Sequence, residues 1–91
     1  MKTPKQLEKH FKGIANHWRI SILFLLDKEK ELNLTEIARK VKGNFFTISE
    51  HARRLHIAGL IDKKYKAQEV HHSLSPYGKK FITFLKTAQQ L

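Results

Sequence analysis

Residues 34–61 read LTEIARKVKGNFFTISEHARRLHIAGLI, two short helical patterns on either side of a Gly43-Asn44 turn. Asn33 stands where it can cap the first helix, with Glu36 three residues later able to reach back as the second half of a capping box. Asn44 can cap the second helix and Gly59 supplies its stop. Projected at 3.6 residues per turn, Ile48, Ala52, Leu55 and Gly59 share one narrow face with Phe45 beside them. Phe46, Thr47, Ser49, Glu50, Arg53 and Arg54 point away from it. Hydroxyls, arginines, a carboxylate and an aromatic ring within three turns can meet phosphates, base edges and thymine methyls in a major groove. A merely solvated helix would more often carry Lys and Glu in i,i+4 pairs.

The segment after this helix pair has the pattern of a β-hairpin. Residues 60–66 read as a strand, Lys66-Ala67-Gln68-Glu69 as the turn, and 70–74 as the returning strand. The helix pair, about 34–59, is thus followed by a wing, about 60–74. Lys63, Lys64, Lys66 and Gln68 near its tip suit phosphate or minor-groove contact. Lysines also protect a hairpin edge from pairing with other chains, a role compatible with binding.

Read together, HWRISILFLL (17–26), LTEIARKV (34–41), TISEHARRLHIAGLI (47–61) and HSLSPYG (72–78) make the run from Asn16 to Gly78 resemble the ArsR-type winged helix-turn-helix transcription regulators. MarR-like and other winged-helix regulators share the AGLI close of the recognition helix, so the order and spacing of the pieces carry the resemblance. It implies a mainly α, homodimeric, sequence-specific DNA-binding repressor, with the helix at 45–58 entering the major groove and the first and last helices forming the dimer interface.

Composition agrees. Eighteen Lys and Arg against eight Asp and Glu give a formal charge of +10 on 91 residues, which favours a polyanionic partner, nucleic acid by default. Residues 70–91 contain no Asp or Glu. A single domain of this length buries a thin core, so dimerisation is a natural source of further stability. The N-terminal stretch MKTPKQLEKHFKG lacks the apolar core of a signal peptide, and the apolar run at 22–26 is too short to span a bilayer, so a cytoplasmic location is the default expectation.

The outer helices are expected at 4–15, opened by Pro4, and at 76–90, opened by Ser75-Pro76. Asn16 can cap a helix through Leu26 whose Trp18, Ile22, Leu25 and Leu26 are core candidates. Tyr77, Phe81, Phe84, Leu85, Ala88 and Leu91 form an apolar stripe wider than one terminal helix needs against so small a core. Phe81, Phe84, Leu85 and Ala88, with Phe11 and Ile14 from the first helix, are therefore the expected dimer surface.

Many relatives in that family are metal sensors. No cysteine occurs, which removes thiolate sites, and the last helix holds no His, Asp or Glu. His71 and His72 alternate across a strand. His10 and His17 could share a helical face only if Asn16 did not break the helix. All six histidines read as structural or DNA-facing, and neither metal nor cofactor is expected. Catalysis is not expected either: there is no Gly-rich phosphate loop and no cysteine nucleophile, and Ser49 and His51 do not face one another on a helix. The competing reading is a winged-helix module that coats DNA without sequence preference, binds RNA or contacts another protein, for which exposed Phe46 and Ile57 leave room.

Overall fold

The computed structural model describes residues 1–91. Five helices and three strands follow in the order α1 (Pro4–Ile14), α2 (His17–Glu29), β1 (Glu31–Asn33), α3 (Leu34–Val41), α4 (Phe45–Ile57), β2 (Ile61–Lys66), β3 (Glu69–Leu74) and α5 (Pro76–Gln89). The expected elements are all present, and β1 is an addition. It pairs antiparallel with β3, Leu32 opposite His72, so the wing is the outer part of a three-stranded sheet ordered β1-β3-β2.

Local chemistry sets the boundaries. Thr3 and Gln6 form a capping box at the start of α1 ahead of Pro4. Asn33 and Glu36 form another, the Glu36 amide donating to Asn33 Oδ1 at 2.8 Å and the Asn33 amide to Glu36 Oε1 at 3.0 Å. Asn16 caps α2, which runs one turn past Leu26 before Lys30 leaves the helix with φ 72. In the turn between α3 and α4 the left-handed residue is Lys42, φ 59, one position before the glycine. Gly59, φ 80, ends the turn after α4 as expected, because a residue without Cβ takes that conformation without penalty.

Sixteen buried apolar residues make one core. Its centre is α2, whose Ile22, Leu23 and Leu26 are fully enclosed, with Trp18 and Leu25 packed against the cluster from its margin. Ile37 of α3, Ile48, Ala52 and Leu55 of α4, Leu60 and Ile61 at the wing base, and Phe81 and Ile82 of α5 close around it. Each fully buried Leu or Ile contributes roughly 1.5–3 kcal/mol relative to exposure, so these side chains fix how α4 is presented. Phe45, expected beside the packed face, is half-exposed and turns its ring edge-on to Phe46.

A hydrogen-bonded joint ties α5 to the base of the wing. Ser75 Oγ donates to the Gly59 carbonyl at 2.6 Å and accepts from the Gly78 amide at 2.9 Å, while the Ser75 amide donates to the Leu60 carbonyl at 3.1 Å.

Candidate nucleic-acid interface

With Ile48, Ala52 and Leu55 sealed in the core, α4 has one face left for a partner. Asn44 Oδ1 accepts from the amides of Phe46 (2.9 Å) and Thr47 (3.2 Å), so the N-terminal turn is held by its cap. Phe46, 81% exposed, and Thr47 project from that turn. Ser49 is partly buried and its hydroxyl donates to the Phe45 carbonyl at 2.8 Å, leaving it free only to accept.

One turn further, three charged side chains are joined. Glu50 receives Arg53 in a two-pronged pair, Nη2 to Oε1 at 2.6 Å and Nε to Oε2 at 2.9 Å, and Arg54 Nε reaches the same Oε1 at 3.1 Å. The Arg53 guanidinium, with Arg54 beside it, holds the Glu50 carboxyl down at about 2. Glu50 is thus a constant anion that orients two arginines rather than a free acceptor for a base. Both guanidinium groups remain about half-exposed, 53% for Arg53 and 54% for Arg54, and their planar two-pronged donors match a guanine edge or a phosphate.

The wing lysines divide by strand parity. Lys64 and Lys66 lie on one face with His71 and Glu69, Lys63 on the other with Tyr65, opposite His72. Lys66 Nζ pairs with Glu31 on β1 at 2.6 Å, and His71 bridges Glu31 (3.3 Å) and Glu69 (3.2 Å). Lys66, together with the charges of His71 and Lys64, lowers the Glu31 pKa. Lys64 carries no such partner. His72 faces inward at 1% exposure, and burial, aided by the Lys63 charge, lowers its pKa and keeps it neutral. Gln68 is exposed in the two-residue turn, where Ala67 adopts φ 55.

These ion pairs rank the wing lysines as candidate phosphate contacts. Lys64→Ala should flatten the dependence of log K on log salt by about 0.9 units, the value for one phosphate contact. Lys66→Ala should flatten it less, because Glu31 already offsets that charge. An unchanged slope for both variants in binding titrations across a salt series would remove the wing from the interface.

The six apolar residues expected at a dimer surface separate into two groups. Ile14 (5% exposed) and Phe81 (9%) belong to the chain's own core. Phe11 (45%), Phe84 (50%) and Ala88 are exposed and Leu85 is partly so. Leu7, which sequence periodicity places on the apolar side of α1, joins Phe11, Tyr77, Phe81 and Phe84 around an open apolar groove of 230 Å³ between α1 and α5. Phe11 and Phe84 meet edge to face, centroids 6.1 Å apart.

A capped helix, a turn, a second helix with a polar outer face and a hairpin wing, in that order on a helical core, define a winged helix-turn-helix domain. HlyU of Vibrio cholerae superposes with a TM-score of 0.83 at 26% identity, covering 100% of both chains. The homodimeric winged helix-turn-helix DNA-binding domain Mb0332 of Mycobacterium bovis, a possible ArsR-family regulator, gives a TM-score of 0.84 at 21% identity, over 94% of this chain and 80% of that one. The transcriptional repressor PagR of Bacillus anthracis gives 0.78 at 24% identity, over 89% and 93%. In sequence, a homologue of the cadmium resistance regulator CadC from Staphylococcus aureus is 28% identical over 71 residues, 78% of this chain and 59% of that protein's length. No protein-family model matches. The chain thus has the winged helix-turn-helix fold and is similar to transcriptional regulators, a possible ArsR-family domain among them.

Proposed function

We propose that this protein is a sequence-specific repressor that binds double-stranded DNA as a homodimer, with α4 in the major groove and the β2–β3 wing on the flanking backbone. One observation carries the reading: α4 is sealed into the core along Ile48, Ala52 and Leu55, yet presents Phe46, Thr47 and the Glu50–Arg53–Arg54 cluster outward. An α-helix with its side chains is about 10–12 Å across, the width the major groove accepts. The charge of +10 supplies the attraction to phosphate. The homodimeric state of the M. bovis domain and the repressor role of PagR are carried over to this chain on its likeness to them. Cadmium is not carried over, because a soft metal selects thiolates and the chain has no cysteine. We read the protein as a binding protein and not an enzyme, because the convergent polar groups lie on an open helix face rather than in a pocket.

Arg53→Ala tests the assignment of base reading. Cognate duplex should lose about 1–3 kcal/mol of binding free energy while random duplex loses much less. Equal losses on the two duplexes, measured by competition titration, would make Arg53 a phosphate contact and remove it from sequence reading.

A further inference from the structure

A second cationic feature adjoins the outward face of α4 and shares Arg53 and Arg54 with it, where α1 and the start of α2 approach its C-terminal half. An open cleft of 230 Å³ is lined by Lys9 and Lys12 of α1, Arg19 of α2, and Arg53, Arg54 and Ile57 of α4, with no carboxylate in its wall. Lys9 and Lys12 fall on the side of α1 away from Leu7 and Phe11, so the cleft is separate from the apolar groove.

Arg19 is fixed in place. Its Nη1 donates to the carbonyls of Lys12 (3.0 Å) and Gly13 (3.2 Å), and its Nε donates to His51 Nδ1 at 3.1 Å, which requires that ring nitrogen to be unprotonated. Nη2 donates to nothing in the protein. Burial, then the Arg54 charge, lowers the Arg19 pKa, and the carboxylate that opposes this is Glu50, already shared by Arg53 and Arg54. Glu8 meets Lys12 only in an exposed pair at 3.6 Å, the kind that contributes little. Five cations thus converge against two carboxylates, Glu50 and Glu8, and one guanidinium, Arg19, is held ready by three hydrogen bonds with no carboxylate partner of its own. An oxyanion with several acceptor atoms matches that arrangement, since Arg forks and Lys ammonium groups together bind phosphate.

We propose that the cleft between α1 and α4 is a phosphate site, in which Lys9, Lys12 and Arg19 hold a phosphodiester of the bound duplex and extend the interface beyond α4 and the wing on to α1. The chemistry is that of a phosphate oxyanion. Its source as duplex backbone rests on α4 being the DNA-reading helix, whereas the site itself does not.

The test uses the full chain and the double variant Lys9→Gln/Lys12→Gln, both positions being exposed and outside the core. Binding to random duplex is measured across a salt series, and the wild type and variant are each titrated with inorganic pyrophosphate while backbone amide shifts are followed. The expected result is a slope of log K against log salt flatter by up to about 1.8 units in the variant, 0.9 for each lost contact, on random and selected duplex alike. Pyrophosphate should shift the amides of Gly13, Arg19 and Ile57 in the wild type and not in the variant. An unchanged slope with a pyrophosphate response that the variant loses would keep the phosphate site and make a free phosphate compound its ligand. An unchanged slope with no pyrophosphate response, or one the variant retains, would overturn the proposal. If the wild type prefers no duplex sequence, the reading of α4 fails, and the slope and the shifts still decide the cleft.

Discussion

Phe84→Glu should convert the protein into a folded monomer whose affinity for its operator is about 10²- to 10⁴-fold weaker, because two tethered half-site contacts become one. Phe84 is half-exposed on the rim of the α1–α5 groove, where it meets Phe11 edge to face. Pairing two copies through Leu7, Phe11 and Phe84 would cover apolar surface that one chain leaves in water. A carboxylate there is desolvated without a partner and is repelled by its two-fold mate. Because Phe84 lies outside the buried core, the substitution should leave the fold intact. Sedimentation of both proteins at tens of micromolar reads the effect. A wild type that is already monomeric, or a variant that unfolds outright, would count against a dimer built on this groove.

Gly78→Ala should be among the most destabilising single substitutions, costing about 3 kcal/mol and lowering Tm by about 15 °C in thermal unfolding. A Cβ at residue 78 would run into the Leu60 carbonyl oxygen and crowd the Leu60 carbonyl carbon at 3.1 Å. The Leu60 oxygen is backbone and accepts from the Ser75 amide, so relief requires lifting α5 from the joint that also holds the Gly59 carbonyl. Overpacking and the loss of partly buried hydrogen bonds then act together. Gly59→Ala is the contrast. A methyl at residue 59 would meet nothing within 4 Å, so only the left-handed conformation at φ 80 is penalised, by about 1–2 kcal/mol. Similar losses for the two variants would mean that the Gly78 contact relaxes at little cost.

The fold is most legible in the sequence where local chemistry decides structure. The Asn33–Glu36 box, the Asn44 cap, the Gly59 stop and the period of Ile48, Ala52 and Leu55 each depend on residues a few positions apart, and the helix pair stands where they put it. Strand β1 is not legible. Its three residues, Glu-Leu-Asn, carry no strand pattern, and they pair with a segment some forty positions away. The central role of α2 is only partly visible, because a helix surrounded on most sides loses the single apolar stripe that reveals core residues, and Leu23 falls outside any such stripe.

Within the candidate interface, the outward residues of α4 can be chosen by period, but their mutual ties are harder to see. Glu50, Arg53 and Arg54 are spaced for pairing at i,i+3 and i,i+4, yet the same residues also suit independent base contacts, and only the side-chain geometry separates the two. The Lys66–Glu31 pair depends on β1 and so leaves no local trace. Arg19 is invisible for the same reason, since its partners His51, Lys12 and Gly13 come from α4 and the end of α1. Ile14 and Phe81 fall on the expected dimer surface because periodicity gives the face of a helix and not which neighbour covers it.

Selection of bound sites from a random duplex library tests the central claim most directly, since it reports specificity, symmetry and spacing in one measurement. A two-fold dimer with one α4 per half-site should enrich an inverted repeat with half-sites about 34 Å apart, one duplex turn or a multiple of it, bound at least about 10³-fold more tightly than random DNA. A pool that remains random through successive rounds while still being retained by the protein would contradict sequence-specific binding and identify a DNA-coating protein instead.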